Sequence, residues 1–254
     1  MKLGIVGFGF VGQALYMSIN DTQGVEIYDT YKMLGGIVDI IDCDVVFTCL
    51  PTPQAKNGSQ DFTEYKKFFE ELNEHYFSGI IVVKSTVLYE HIEPYLEDYN
   101  IVFNPEFLYQ NTAVEDFKKQ RVVILGGRAD CTRMVQKVYE EMFELDNNPD
   151  YDHCTIKEAI DIKYMHNIYH AYKVLFWNYV QGETSNARKM YNLYTKITDR
   201  NEMARISPDG KPGYGGACFP KDVAAKHSVQ PHELTKYMID YNSKIRNDGK
   251  RVFE

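Results

Sequence analysis

The stretch KLGIVGFGFVG, residues 2–12, leaves this chain little freedom in what it can fold into. A short apolar run passes into Gly7, Gly9 and Gly12, spaced GxGxxG, and the helical pattern QALYMSI follows. Next comes GVEIYDT, a second strand-like run that ends near Asp29. Each glycine has its own task in a strand–turn–helix unit of this kind. Gly7 permits the tight turn, Gly9 lets a pyrophosphate reach backbone N–H groups, and Gly12 lets helix pack closely on strand. Asp29 lies seventeen residues after Gly12, where a carboxylate can accept both ribose hydroxyls of NAD and repel the 2′-phosphate of NADP. A lone GxGxxG is also an ordinary glycine turn. Between two strands, with the acid in register, it reads as a dinucleotide site.

Further strand-like runs follow at 43–50, 79–86, 100–107 and 121–127, and helical patterns such as FTEYKKFFEELNEHYF separate most of them. Alternation of this kind predicts an α/β fold, a Rossmann-type doubly wound parallel sheet. Ligands bind beyond the carboxyl ends of such strands, where Pro51-Thr52-Pro53, Ser85-Thr86 and Pro105-Glu106 fall. From Thr155 the pattern changes to one long helix without glycine or proline for over twenty residues, then a second helical segment at 187–197, a polar loop and two more helices. The expected division is 1–150, a dinucleotide-binding domain, and 151–254, a mainly helical domain. A length of 254 residues is enough for two small cores.

Charge and cysteine usage narrow the setting. A formal net charge of −8 argues against nucleic acid or an anionic membrane as the main partner. Five cysteines without a CxxC pair fit reduced thiols in a reducing compartment. No apolar run is long enough to span a membrane. The glycine-rich start is better explained as a nucleotide turn than as a signal h-region. A cytoplasmic protein is expected.

The second half holds one chemically loaded segment, PGYGGACFPKD, residues 212–222. Gly213, Gly215 and Gly216 allow close backbone approach or positive φ. Pro220 suits the first turn of a helix. Cys218 therefore stands just ahead of a helix N-terminus with Lys221 three residues on, and both features favour thiolate over thiol. A buried structural cysteine is the competing reading, and it leaves the glycines and the charged pair Lys221-Asp222 unexplained.

Seven stretches, in order along the chain, are similar to the nucleotide-sugar 6-dehydrogenase family, typified by UDP-glucose 6-dehydrogenase. They are GFGFVG (7–12), Asp29, LPTP (50–53), KST (84–86), NPEFL (104–108), EAIDIKYMHNIYHAYKVLFWN (158–178) and GYGGACFPKD (213–222). The resemblance implies oxidation of a sugar C6 alcohol to a carboxylate with two NAD consumed. It implies that Cys218 attacks the intermediate aldehyde and passes through a thiohemiacetal and a thioester. Lys163 and Asn167 would stabilise the oxyanion, Thr86 and Asp222 would hold a water and relay protons, and Glu106 would be the base for thioester hydrolysis. The implied cofactor contacts are Gly7, Phe8, Gly9, Phe10, Val11, Gly12, Asp29, Lys32, Pro51, Thr52, Thr86 and Lys221. The implied substrate contacts are Glu106, Phe107, Leu108, Lys163, Asn167, Tyr214, Gly215 and Cys218. No metal is implied.

Each residue has a plainer alternative. Lys163 and Asn167 could be solvated helix positions, and Glu106 could cap a helix after Pro105. His166 and His170 sit four apart, but no acid completes a metal set on that face, so packing or interface histidines are expected. The aromatics Tyr164, Tyr169, Tyr172, Phe176 and Trp177 are expected in the core or at a homodimer contact. Ala217 and Lys221 differ from the histidine and valine of members that take N-acetylated sugars, which points to UDP-glucose, with GDP-mannose second.

Three departures from the family pattern stand out: Gln110 where a second glutamate is common, Trp177-Asn178-Tyr179 in place of FNE, and the expectation of a short form without the C-terminal UDP-binding domain. Arg200 and Arg205 are both candidates for an arginine that reaches a partner subunit's sugar. The competing functional readings are a two-electron β-hydroxyacid-type dehydrogenase and a catalytically silent nucleotide-binding fragment.

Overall fold

The structure is a computed structural model in which residues 1–198, 207 and 209–247 are described. The chain divides into two compact units, Met1–Thr52 with Asp61–Lys163, and Pro53–Gln60 with Tyr164–Glu254. The first unit therefore extends past residue 150, to Lys163.

The first unit runs β1 (Leu3–Val6), α1 (Phe10–Tyr16), β2 (Val25–Tyr28), α2 (Ile37–Ile40), β3 (Val45–Thr48), α3 (Thr63–Asn73), β4 (Ile80–Val83) and α4 (Tyr89–Ile92). It continues with β5 (Asn100–Phe103), α5 (Ala113–Lys118), β6 (Val122–Gly127), α6 (Ala129–Met142) and β7 (Asp150–Cys154). The strands form one sheet in the order β2-β1-β3-β4-β5-β6-β7.

β2 through β5 in that order pair in parallel and in level register, with Val6 opposite both Tyr28 and Thr48, Thr48 opposite Val83, and Val83 opposite Phe103. Two features depart from the expected sheet. β6 joins β5 antiparallel, so β6 and the parallel β7 run against the other five. β7 itself, DYDHC, carries no apolar run, because as an edge strand it buries little.

Strands covered on both faces must be apolar along their whole length. Leu3, Ile5, Val45, Phe47, Val82 and Val102 accordingly share one core with Ala14 and Leu15 of α1, Phe117 of α5 and Val135, Val138 and Tyr139 of α6. α3 buries Tyr65, Phe68, Phe69 and Leu72, a single helical face. It ends at Asn73, short of the helical pattern through Phe77, because no residue from Asn73 to Phe77 is buried and Tyr76 stands in solvent.

The long helix α7 (Ile156–Glu183) starts from a capping box. Thr155 N and Oγ1 both donate to Glu158 Oε2 at 2.8 Å, and Glu158 N donates back to Thr155 Oγ1 at 3.2 Å. After it come α8 (Ala187–Thr198), α9 (Phe219–Val229) and α10 (Glu233–Asn247). The second unit has its own core, in which Ala171, Val174 and Leu175 of α7 pack with Tyr214, Val223 and Met238. Among the described residues no helix is long and apolar enough to cross a membrane.

The turn after β1 depends on Gly7, which has φ +85° and where a Cβ would stand 2.7 Å from the Cys49 carbonyl oxygen. Gly7→Ala is expected to lower the unfolding free energy by about 2–3 kcal/mol in urea denaturation. A change within about 0.5 kcal/mol would show that the turn relaxes around a side chain.

Candidate functional site

In the first unit the glycine turn is fastened to the next strand by one carboxylate. Asp29 Oδ2 accepts the Phe8 N–H at 2.6 Å, and Asp29 Oδ1 accepts the Lys32 N–H at 2.8 Å. Lys32 Nζ returns to the Phe8 carbonyl at 2.6 Å and lies 5.4 Å from the centre of the Phe8 ring. Gly7, Tyr28, Asp29, Leu50, Pro51, Phe68 and Glu71 line a cleft beside this turn. Tyr28 donates its hydroxyl proton to Glu71 Oε2 at 2.7 Å on the cleft wall. Phe10 and Val11 begin α1, with Gly9 at its N-cap and Gly12 buried within it. A Cβ built on Gly9 would meet nothing within 4 Å, so the turn has an open outer face. An open glycine face beside a carboxylate fits the diphosphate and ribose of a dinucleotide.

The turns after β3, β4 and β5 are tied to one another. Thr52 Oγ1 donates to the Thr86 carbonyl at 2.9 Å, and Ser85 Oγ donates to the Leu50 carbonyl at 2.6 Å. Thr52 and Thr86 are both buried. Glu106 follows β5. Its Oε2 accepts the Leu108 N–H at 2.9 Å, a local turn rather than a helix cap, and its Oε1 lies 3.4 Å from Lys163 Nζ. Lys163 also donates to the Glu106 backbone carbonyl and stands 5.1 Å from the Phe107 ring centre. At 5% exposure Lys163 is no solvated surface charge. A buried ion pair of this kind is costly to break from one side, because the partner left behind keeps an uncompensated charge.

In the second unit Cys218 is exposed and is the N-cap residue of α9. One turn on, Asp222 is fully buried, and its N–H donates to the Cys218 carbonyl at 3.0 Å. The Asp222 carboxylate takes Asn167 Nδ2 on Oδ2 and Lys221 Nζ on Oδ1, each at 2.5 Å. Asn167 is buried and stands one turn beyond Lys163 on α7. Tyr214 lies in the helical core, and Gly215 is buried beside it. The His166 and His170 rings pack 4.3 Å apart, and His170 stacks parallel to Phe219. Gln110 is exposed. Arg200 and Arg205 lie outside the described residues.

One group escaped the reading of roles from sequence. Lys84, 2% exposed, directly precedes Ser85-Thr86, and its Nζ donates to Asn104 Oδ1 at 2.8 Å and to Tyr139 OH at 3.3 Å. Tyr139 OH donates to the same Asn104 oxygen at 2.6 Å, and Asn104 Nδ2 donates to the Ile124 carbonyl at 2.8 Å. Asn104 directly precedes Pro105-Glu106. This network therefore joins the two strand ends that carry Thr86 and Glu106. Burial lowers the Lys84 pKa to about 8. The sequence signal was a lysine closing the apolar run IIVV; nothing in sequence marked Tyr139 as its partner.

A level parallel sheet, a glycine turn closed by an acid, and polar groups at the strand ends define a dinucleotide-binding α/β domain. Residues 36–143 match the profile of the UDP-glucose/GDP-mannose dehydrogenase family, NAD binding domain. That stretch is similar to the NAD-binding domain of the family, and the similarity supports NAD as its cofactor. A UDP-glucose 6-dehydrogenase of Haloferax volcanii is 28% identical over 284 residues, covering 89% of this chain and 64% of the relative. A GDP-mannose 6-dehydrogenase of Pseudomonas aeruginosa is 31% identical, covering 73% of this chain and 46% of the relative. The chain thus spans from about half to about two thirds of the length of these relatives. The solved structure of a UDP-glucose dehydrogenase from Pyrobaculum islandicum superposes with a TM-score of 0.75 at 20% identity, over 96% of this chain and 68% of that one, and shares the fold.

The buried lysine makes stability depend on pH. Free in the unfolded chain it titrates near 10.5, and in the folded state near 8. The unfolded state binds more protons between these values, so the unfavourable contribution of Lys84 is complete below pH 8 and fades as pH rises. The stability advantage of Lys84→Met over the parent is expected to fall by about 2–3 kcal/mol between about pH 7 and pH 10, measured by urea unfolding. A difference that does not change with pH would mean that Lys84 titrates as an ordinary lysine.

Proposed function

We propose that this chain performs the NAD-dependent four-electron oxidation of a nucleotide sugar at C6, with UDP-glucose converted to UDP-glucuronate. The observation that carries the reading is Cys218, exposed at the N-cap of α9, one turn from a fully buried Asp222 that Asn167 and Lys221 both hold. Burying a carboxylate, an ammonium stem and an amide beside a thiol costs desolvation energy that a plain structural turn has no need of.

Gly7, Phe8, Gly9, Phe10, Val11, Gly12, Asp29, Lys32, Pro51, Thr52, Thr86 and Lys221 are the proposed cofactor contacts. Bound NAD would accept one hydride from C6 in each of the two oxidations. The substrate alcohol gives up its proton through a water held by Thr86 and Asp222, leaving the aldehyde. The Cys218 thiolate then adds to the aldehyde carbon, and the resulting oxyanion takes a proton to complete the thiohemiacetal. Lys163 and Asn167 stabilise the oxyanion. Loss of the second hydride and of the hydroxyl proton gives the thioester. Glu106 removes a proton from the attacking water, and hydrolysis releases the carboxylate and restores the thiol. The balance is one alcohol, one water and two NAD+ in, with one carboxylate, two NADH and three protons out. Phe107, Leu108, Tyr214 and Gly215 are proposed to complete the sugar contacts. GDP-mannose is the second substrate to assay.

Excess NAD should yield two NADH per UDP-glucose consumed, and Cys218→Ala should nearly abolish acid formation. One NADH per sugar would instead favour a two-electron dehydrogenase, and a Cys218→Ala variant with undiminished acid production would end the thioester reading.

A homodimer through α7 belongs to the same proposal. Met165, Tyr169, Tyr172, Phe176 and Tyr179 are each at least 44% exposed and follow at alternating spacings of four and three, the period of a coiled-coil seam. Tyr164 and Trp177 are buried, so α7 is apolar on both its inner and its outer sides. The chain should sediment as a dimer at micromolar concentration, and Tyr172→Glu with Phe176→Glu should make it a monomer. A monomeric parent would refute the seam.

A further inference from the structure

The glycine turn ahead of Cys218 is held by side chains to which no role has yet been given. The Gly213 N–H donates to Asn178 Oδ1 at 3.3 Å, and Asn178, on α7 and buried, donates its own amide proton to the Val174 carbonyl at 2.7 Å. The backbone of the next residue is gripped twice by a single residue of α10. The Tyr214 N–H donates to Asn242 Oδ1 at 2.8 Å, and Asn242 Nδ2 donates to the Tyr214 carbonyl at 3.0 Å. Asn242 is 8% exposed.

The fit of these groups explains the glycine. Gly213 has φ +78°, and a Cβ there would land on the Asn242 amide oxygen. A turn later on α10, Arg246 pairs with Asp209, whose carboxyl it draws down to about 2. Arg246 also points toward the Pro212 and Tyr214 carbonyls, at 3.4 and 3.5 Å.

A primary amide presents one acceptor and one donor in a single plane, which matches the N–H and C=O of one residue as a neighbouring strand would. The Tyr214 peptide is thereby fixed to α10 while its ring is buried in the helical core. Four residues later comes Cys218, and four residues after that comes Asp222, fully buried and bonded to Asn167. The cysteine stands midway between two fixed points.

We propose that Asn242, assisted by Asn178, is a positioning residue that sets where the Cys218 thiol stands when the aldehyde forms. This rests on the reading of Cys218 as nucleophile. The thiol is needed only after the first hydride has left, so a displaced thiol impairs capture of the aldehyde and not its formation. The consequence is a change in product ratio. Aldehyde that is not captured escapes, with one NADH formed instead of two.

The test uses Asn242→Asp, which keeps the size and shape of the side chain but replaces the donor with an oxygen facing the Tyr214 carbonyl. UDP-glucose is supplied with excess NAD and with semicarbazide to trap aldehyde, and GDP-mannose is run in the same way. The parent should give two NADH per sugar consumed and little trapped aldehyde. The variant should fall toward one, with trapped aldehyde making up the difference. The ratio is counted per sugar consumed, so partial unfolding, which only lowers the amount of active enzyme, leaves it at two. A variant that keeps two NADH and traps no aldehyde overturns the proposal. If Asn242→Asp turns over no sugar, Asn178→Ala, which removes the Gly213 bond and the bond within α7 to the Val174 carbonyl but leaves the Asn242 grip in place, is read against the same two outcomes. Cys218→Ala in parallel separates the failures. If it still makes acid, the nucleophile reading falls; if it stops acid while both asparagine variants keep two NADH, only the positioning role falls.

Discussion

Five neighbouring parallel strands end at one level, and that register governs the whole candidate site of the first unit. Parallel hydrogen bonding between Val6, Tyr28, Thr48, Val83 and Phe103 sets the next residues, Gly7, Asp29, Cys49, Lys84 and Asn104, along a single row. A slip of one residue in any strand would carry every side chain to the opposite face of the sheet, into packing built for a different neighbour, and remove its contribution from the row. The apolar burial on both faces of the sheet is what forbids such a slip. The positions of Thr86 and Glu106 therefore follow from packing made elsewhere by Val82, Val102 and Phe47.

Lys84 and Asn104 in that row, and Thr52, Thr86 and Lys163 near it in the first unit, are buried, and each is met by another polar group. Lys84 meets Asn104 and Tyr139, Thr52 meets the Thr86 carbonyl, and Lys163 meets Glu106. Contacts of this kind hold turns in place without adding apolar bulk where a ligand must approach. They also make the turns depend on one another. Asn104 serves β4 through its backbone N–H to the Val83 carbonyl, α6 through Tyr139 and β6 through Ile124, so a change at Tyr139 reaches the loop that carries Glu106.

The glycine fingerprint, the strands β1 to β6, the long helix and the cysteine at a helix start were all legible in the sequence, because each is written in local spacing. β7 was not, since an exposed edge strand carries no apolar alternation. The reversal between β5 and β6 was not, because an apolar run reports that a strand exists and not which way it points. Lys84 and Asn104 lay inside recognised stretches, yet their meeting is a long-range fact, as is the grip of Asn242 on Tyr214 across twenty-eight residues. Single polar residues on amphipathic helices give no local sign of what they will touch.

Asp29 holds the glycine turn through the Phe8 N–H and the following loop through the Lys32 N–H. Redesign of the chain for a phosphorylated cofactor would begin at this residue, and there the double duty becomes an obstacle. In the proposed cofactor site, small or basic replacements would lift the repulsion toward the extra phosphate; they would at the same time leave two backbone donors without their acceptor. The turn beneath the diphosphate would then loosen in the very variant meant to bind it. A workable redesign has to supply a new acceptor for the Phe8 N–H before the carboxylate is removed.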